Sequence, residues 1–138
     1  MASRDAEIWA AVRNYLEAYP DLPADVVYPG EEFDDVDPLM PYLIVEDLRF
    51  DPLRRYYTGS NWRTGSLMIM VMCPLKWTYA QRLEYAGGIA DYFEQDAVMT
   101  FGDVAMRVSQ QPTLSGAGYR DGSHFRVPLD CKWEGEVG

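Results

Sequence analysis

Residues 66–74 read SLMIMVMCP, an apolar run of strand length that stops at a proline. Successive side chains of a strand point to opposite faces, so this run offers two apolar faces. One face comprises Leu67, Ile69, Val71 and Cys73, and the other comprises Met68, Met70 and Met72. A strand that is apolar on both faces needs cover on both. The methionine face is covered either by the chain itself or by a neighbouring subunit, where the adaptable thioether is common.

A helix is predicted directly downstream, from about Thr78 to Phe93. Thr78 and Gln81 have the spacing of a capping box, in which each side chain bonds to the other residue's backbone N–H. Gly87 and Gly88 interrupt the helical pattern, and each costs up to about 1 kcal/mol relative to alanine. Another group is therefore expected to pass close to the backbone there, and packing on the sheet is favoured over a subunit contact.

Two further strands follow, over residues 104–108 and 125–133. The second alternates sharply between apolar and polar residues, which predicts one core face and one polar face. Pro128 has no N–H to donate to a neighbouring strand. This strand is therefore expected to lie at an edge, to carry a bulge, or to point that position away from its neighbour.

The first half supplies fewer regular elements. Ser3 can cap a first helix that Pro20 ends, and short strands are indicated at 25–28 and 42–48. Together the elements predict one α+β domain with a mixed or antiparallel sheet of four to five strands, two main helices packed on it, and extended arms. The domain spans 1–138, with an acidic loop at 29–40, an Arg/aromatic arm at 49–65 and a flexible Gly-rich arm at 111–123.

The net charge of -10 is unevenly distributed. Residues 1–48 hold twelve acidic and two basic residues, whereas the remaining residues hold ten of each. Complementary patches on one surface or on neighbouring copies would explain this division, and so would two solvated loops. The acidic balance disfavours tight nucleic-acid binding. The patch candidates are the acids Glu31, Glu32, Asp34, Asp35 and Asp37, and the bases Arg49, Arg54, Arg55 and Arg63.

The sequence has no apolar run of the roughly 18 residues that cross a bilayer, and its N-terminus is charged where a signal peptide would be apolar. We therefore expect a protein that is not secreted by that route. Cys73 and Cys131 fall inside predicted strands, where free cysteine behaves as a small buried hydrophobe. Free, buried thiols are favoured over a disulfide.

Catalytic chemistry has little support in the sequence. His124 is the only histidine, and Ser123 and Asp121 are too close to it along an extended segment to form a relayed triad. The acidic run EEFDDVD at 31–37 lacks the spacing of an EF-hand loop, although loose binding of Mg²⁺ or Ca²⁺ stays open. No phosphate-binding glycine motif or C-x-x-C pair is present. The sequence therefore predicts no catalytic residues, no metal site and no cofactor.

The order of elements resembles the tail terminator proteins of long-tailed bacteriophages, prophages and gene transfer agents. The resemblance covers nearly the whole chain and is strongest over residues 65–134. The segments that carry it are GSLMIMVMCP at 65–74, EYAGGIADYFEQ at 84–95, FGDVAMRV at 101–108 and SHFRVPLDCKW at 123–133.

The resemblance implies a structural virion protein at the junction of tail and head, assembled in the host cytoplasm. Such a protein forms a ring, typically of six copies, that caps the tail tube, ends tail polymerisation and offers the surface on which the head docks. Its partners would be copies of itself, the tail tube protein and a head-completion or connector protein, while DNA passes through without specific binding. The acids listed above are then candidates for the lumen.

Candidates for the subunit or tail-tube interface come from the arm and the methionine face. They are Arg49, Arg54, Arg55, Tyr56, Tyr57, Trp62, Arg63, Met68, Met70 and Met72. Two alternatives remain open on the sequence: a head-completion or neck connector protein, and a small cytosolic regulatory domain that binds a ligand beside its sheet.

Overall fold

The computed structural model describes residues 3–33, 36–49, 53–54, 61–114 and 118–136. Its two helices are α1 (Arg4–Glu17) and α2 (Tyr79–Tyr92). The strands are β1 (Val26–Val27), β2 (Tyr42–Arg49), β3 (Leu53–Arg54), β4 (Asn61–Pro74), β5 (Val98–Phe101), β6 (Val104–Gln110), β7 (Tyr119–Asp121) and β8 (His124–Glu136).

Both predicted helix caps are confirmed. The Ser3 hydroxyl accepts a hydrogen bond from the Ala6 N–H at 3.1 Å, so one of the otherwise unpaired donors of the first turn of α1 is satisfied. At α2 the Thr78 hydroxyl accepts from the Gln81 N–H, and the Gln81 carboxamide accepts from the Thr78 N–H. The capping box therefore fixes where the second helix begins.

The strands form one mixed sheet in the order β1-β2-β4-β8-β6-β5, with β3 added to β4 and β7 added to β8. Only β1 and β2 pair in parallel among the described strands. The α+β class is confirmed, but the prediction of four to five strands was too low. The sequence missed β5 because only Met99 of its four residues is buried, so it carries no alternating pattern.

The core lies between the helices and one face of the sheet. α1 contributes Ile8, Ala11, Val12 and Leu16, and α2 contributes Ala86, Ile89 and Ala90. From the sheet, the aliphatic face of β4 joins the same cluster: Leu67, Ile69, Val71 and Cys73 are all at most 1% exposed. Two helices therefore cover one face of the sheet, as the fold-class prediction required.

β8 lies inside the sheet, between β4 and β6, so of the three arrangements expected for Pro128 the edge position does not apply. Pro128 is nevertheless accommodated, because the second neighbour of β8 is interrupted beside it. β7 pairs with His124–Arg126, β6 pairs from Lys132 onward, and no described strand pairs with residues 127–131 on that side. A proline without a donor is tolerated where the ladder has such a gap.

Close approaches explain two of the glycines. A Cβ on Gly65 of β4 would lie 2.3 Å from the Trp133 ring and 2.5 Å from the Leu48 carbonyl oxygen, so only glycine fits beneath that indole. In α2, a Cβ on Gly88 would lie 2.8 Å from the Tyr19 hydroxyl, whereas at Gly87 the nearest group would be Leu114 at 3.9 Å. The contacts at the helix glycines thus come from the same chain.

Both cysteines are free and buried, as predicted. Burial raises the pKa of the Cys73 thiol to about 11 and also raises the pKa of Cys131. Neither thiol is therefore reactive at neutral pH. Among the described residues, no helix has the length and apolar character to cross a membrane.

Candidate interaction surface

The face of β2, β4 and β8 that points away from the helices is not covered by a described helix. Its side chains stand in cross-strand rows set by the register: Ile44, Met70 and Pro128 form one row, and Glu46, Met68 and Asp130 form the next. We call these six residues the open face. The four apolar members are half-buried and the two carboxylates are exposed.

The methionine stripe is divided between two environments. Met72 is buried at 2% exposure, whereas Met68 and Met70 are only half-buried. The cover over Met72 comes from the chain itself, because its cross-strand partner Tyr42 packs against both Phe33 and His124 with ring centroids 5.0 Å apart. Met72 is thus a core residue of this end of the sheet, and the other two methionines face outward.

His124 has a structural role at this covered end. Its Nε2 lies 2.9 Å from the Met40 carbonyl oxygen, which can only accept, so Nε2–H donates there. Nδ1 then accepts from the Ser123 hydroxyl at 2.8 Å. Asp121 is instead paired with Arg126 at 2.7 Å. These groups do not form a relayed triad, and His124 fastens the 36–41 segment to the sheet.

Two carboxylates of the acidic loop accept hydrogen bonds from backbone N–H groups in or next to the loop. Glu31 accepts a hydrogen bond from the Tyr28 N–H at 2.8 Å, and Asp37 accepts from the Leu39 N–H at 2.9 Å. Glu32 is exposed. Asp34 and Asp35 lie outside the described residues. Which of these acids face a lumen stays a prediction.

Arg49 is bound within its own protomer. Its guanidinium donates to Asp47 at 2.9–3.2 Å, donates to Asp5 at 3.1 Å, and lies 5.7 Å from the centre of the Trp133 ring. Arg63 reaches the same Asp5 carboxylate at 3.6 Å. These two arginines therefore link the start of α1 to the sheet, a role the sequence did not indicate.

The rest of the Arg/aromatic arm extends the β2–β4 hairpin. Beyond the last β2 pair, Arg49 with Gly65, the ladder resumes with Leu53 opposite Trp62 and Arg54 opposite Asn61. Arg55, Tyr56 and Tyr57 lie outside the described residues. The described backbone thus carries Arg54 and Trp62 outward along the continuous strand β4.

Several large apolar side chains are exposed at positions that the sequence did not single out. Val98 of the edge strand β5 is 62% exposed, and Leu39, Met40 and Tyr119 are each at least half exposed. The edge position of β5 could not be inferred without its pairing. Within the described residues, Val98 lies on the edge strand β5, Tyr119 on β7, and Leu39 and Met40 on the loop before β2.

An aromatic cleft of about 450 Å³ lies at the start of α2 on the helix layer. It is lined by Trp77, Ala80, Gln81, Glu84 and Tyr85, with the Trp77 and Tyr85 rings edge to face at 5.1 Å. Glu84 is the one acid in this lining. Across the described part of the chain, no three His, Cys, Asp or Glu side chains are grouped to hold a metal ion. The open face and the aromatic cleft therefore offer side chains suited to binding.

The acids near the end of α2 have basic or amide partners on the sheet side. Asp96 pairs with Arg107 at 3.4 Å, and Arg107 also pairs with Glu134 at 2.7 Å. Asp91 accepts from the Gln111 side chain at 3.2 Å. Arg107 of β6 therefore supplies a basic neighbour for this acidic end.

Comparison with known proteins gives a family and a fold. The family described as "Phage tail terminator protein" matches residues 7–133. A solved structure aligns with a TM-score of 0.70 over 98% of this chain and 96% of its own, at 20% sequence identity, which shows that the two share a fold. A search of curated proteins gives no match.

Proposed function

Because this chain belongs to the phage tail terminator family, we propose that it assembles into a ring, of six copies, that caps the tail tube. The ring stops tube polymerisation and provides the surface on which the filled head docks. The family is one of structural phage tail components rather than a known family of enzymes, which places the protein in the virion tail. We locate it at the tail-head junction, assembled in the host cytoplasm.

The observation that carries the ring is the presence of two different surfaces on one protomer. The open face exposes Met68 and Met70 on β4, and the β3–β4 hairpin extends beyond the last β2 pair at the end of the same strand. A ring built head to tail joins two unlike patches in each contact, so a protomer needs both. Half-buried methionines are common at such contacts, because the thioether adapts to its partner.

The negative net charge of the chain supports a ring whose lumen is a conduit for DNA. The chain carries a net charge of -10, and the described acid Glu32 is exposed on the loop that precedes β2. An acidic lumen repels phosphates, so DNA can pass without binding. The proposed partners are accordingly the tail tube protein below the ring and a head-completion or connector protein above it.

Electron microscopy of the purified protein, alone and mixed with the tail tube protein, tests this proposal. Rings seated on tube ends, together with a narrow distribution of tube lengths, are the expected result. A protein that leaves tube ends bare and remains a compact monomer in every mixture would exclude the terminator role. A ring that binds heads and never tubes would instead indicate a head-completion or neck protein.

One observation favours a different class of function. The aromatic cleft beside Trp77 and Tyr85 has the size of a small-molecule pocket and a mostly apolar wall. A regulatory domain that binds a ligand there would show saturable binding with a matching rise in melting temperature. Absence of rings together with such a ligand would favour this second candidate.

A further inference from the structure

We propose that the aromatic cleft of one copy receives the turn at residues 37–40 of the next copy, so that Leu39 and Met40 pack against the rings of Trp77 and Tyr85. We call residues 37–40 the apolar turn. This inference rests on the proposed ring and adds a contact through which neighbouring copies meet. The occupant of the cleft is thus a second copy of this chain.

Hydrogen bonds hold the apolar turn in one conformation. The Met40 N–H donates to the Asp37 carbonyl oxygen at 3.1 Å, and the Leu39 N–H donates to the Asp37 carboxylate at 2.9 Å. Asp37 and Pro38 occupy the first two positions, where a tight turn favours these residue types. His124 Nε2–H donates to the Met40 carbonyl oxygen at 2.9 Å and fastens the turn to the sheet. The backbone of the turn is therefore ordered before a partner binds.

The turn exposes two consecutive large apolar side chains. Leu39 is 55% exposed and Met40 is 50% exposed. The hydrogen bonds of the turn use only backbone groups, Asp37 and His124, so they do not require apolar side chains at these two positions. Exposed apolar surface on an ordered segment suits a contact, because burying it is favourable and costs little conformational entropy.

The aromatic cleft offers the matching surface. It has a volume of about 450 Å³, which is sufficient for two aliphatic side chains, and the rings of Trp77 and Tyr85 meet edge to face at 5.1 Å. Ala80 is exposed in the same lining and adds aliphatic surface. Methionine packs well in such a site, since its thioether is flexible and makes favourable contacts with aromatic rings.

The charges around the two surfaces are complementary. Residues 31–42 contain five acidic residues and no basic residue, and Asp37 of the turn is exposed. The start of α2 carries two bases, Lys76 and Arg82, against the one acid Glu84. Lys76 is exposed and has no ion pair among the described residues. An acidic segment therefore meets a cleft whose surroundings are basic on balance.

The turn and the cleft lie on opposite layers of one protomer. Trp77 and Tyr85 pack against the core between the helices and the sheet. The turn is bonded to His124, whose side chain shares a face of β8 with Pro128 and Asp130 of the open face. Because the sheet separates the two surfaces, the turn fills the cleft of another copy. The contact joins unlike surfaces, so it has a direction and can repeat around a ring.

Disulfide trapping tests the contact directly. Leu39 and Ala80 are exposed, whereas the native Cys73 and Cys131 are buried and unreactive. A variant with both Leu39→Cys and Ala80→Cys has one new thiol on the turn and one in the cleft. After assembly on tail tubes and oxidation with diamide, non-reducing denaturing gels should show a ladder of linked chains up to the size of the ring.

The single variants show whether the contact has a direction. Leu39→Cys alone and Ala80→Cys alone should each stay monomeric on the gel, because the contact joins turn to cleft and never like to like. Mixed in equal amounts, the two should give linked dimers and nothing longer, since each chain then supplies one thiol. Electron microscopy before oxidation confirms that each variant caps tubes.

Leu39→Cys with Asp103→Cys is the matched control. Asp103 is also exposed, but it lies just before β6, near Ala105, which pairs with Glu136. Along β8, Glu136 is twelve residues from His124, or about 40 Å at ~3.3 Å per residue. This control should give no ladder, because its second thiol lies at the far end of the sheet from the cleft.

A second measurement asks whether the ring needs the apolar side chain. Leu39→Arg should lower the fraction of tube ends capped by rings at least about tenfold, because a charge would enter an apolar cleft at every contact. Val98→Arg is the control on another exposed apolar residue, 62% exposed on β5, and should cap tubes as the wild type does. Circular dichroism melting at the wild-type temperature confirms that both are folded.

The outcomes separate this inference from the proposed function. If wild-type protein forms rings on tubes but Leu39→Arg also caps them, or if the doubly substituted variant caps tubes and gives no more linked chains than the control, the turn does not occupy the cleft. The inference is then overturned while the ring stands. If wild-type protein forms no rings under any condition, the proposed function fails and this inference fails with it.

Discussion

Tyr15 and Tyr92 each donate a hydrogen bond to the other's backbone carbonyl. Both hydroxyl-to-oxygen distances are 2.6 Å, and the two rings stack with centroids 4.5 Å apart. Tyr15 lies near the end of α1 and Tyr92 is the last residue of α2. This reciprocal pair joins the ends of the two helices through residues that are 77 positions apart along the chain.

Removing either hydroxyl should weaken this link. Tyr15→Phe and Tyr92→Phe are each expected to lower the free energy of unfolding by about 0.5–1.5 kcal/mol, the usual net contribution of a hydrogen bond. Because the pair shares one stack, the double variant should depart from additivity. Urea unfolding measures all three, with the exposed Tyr79→Phe as control. If the urea midpoints of all three variants equal that of the wild-type protein, the two hydroxyls contribute nothing to stability.

The two helix glycines should respond oppositely to the same substitution. Gly87→Ala is expected to stabilise the protein by up to about 1 kcal/mol, since a helix gains from alanine and the nearest described atom beyond the helix backbone would lie 3.9 Å from the new Cβ. Gly88→Ala should lose this gain, because its Cβ would meet the Tyr19 hydroxyl at 2.8 Å and the tyrosine would have to shift.

Thermal unfolding compares the two variants directly, and each serves as the control for the other. Adding Tyr19→Phe to Gly88→Ala should restore part of the gain, because the phenylalanine ring lacks the approaching oxygen. Equal stabilisation by both alanines would contradict the close contact.

The sequence predicted the elements whose local signals are strong. Ser3, Thr78 and Gln81 begin the helices where their capping patterns indicated, and the alternation along β8 identified its core face. β5 escaped prediction because its position in the sheet comes from pairing with β6 and not from its own composition. Local sequence patterns therefore predicted where the elements lie better than they predicted which strands pair with one another.

The environments of the candidate interface residues were harder to predict from the sequence. Contacts with distant parts of the chain decide which of these residues are buried and which are exposed. Met72 and Met68 are equivalent in the pattern, yet Tyr42 and the loop before it bury one and leave the other half-exposed. Arg49 likewise looks like an interface residue in the sequence, but Asp5 and Asp47 hold it within the protomer.

Arg49 and the arginines of the hairpin should therefore give different phenotypes. Arg49→Ala is expected to lower the free energy of unfolding by about 1–2 kcal/mol, because it removes hydrogen bonds to two carboxylates at a partly exposed site. Arg54→Glu with Arg55→Glu should abolish rings and leave the protomer folded. Urea unfolding and electron microscopy of both variants make the comparison. Ring formation by the double variant would exclude the hairpin from the interface.

Alkaline pH should destabilise the protein through Tyr28. Burial and a 2.7 Å hydrogen bond to Glu17 raise the pKa of its hydroxyl from 10.0 to about 12. Between these values the unfolded chain loses a proton that the folded protein keeps, so stability falls as pH rises from 10 to 12. Urea unfolding across this range should show a shallower decline for Tyr28→Phe. If the free energy of unfolding declines equally in the wild-type protein and in Tyr28→Phe, ionisation of Tyr28 is not the cause of the loss.

The arm at 111–123 is predicted to contact the tail tube or the head-side joint, and hydrogen exchange can test this in its first half. Tyr119–Asp121 already pair with β8, so their amides are expected to be protected before assembly. Among the described residues, Gln111 makes one exposed side-chain hydrogen bond, to Asp91, and Leu114 lies near Gly87. Exchange over 111–118 should therefore slow markedly when the free protein enters assembled tails, while exchange in β8 stays slow in both. Equally fast exchange over 111–118 in the two states would show that this segment makes no contact at the joint, because a docked backbone loses exposure to water.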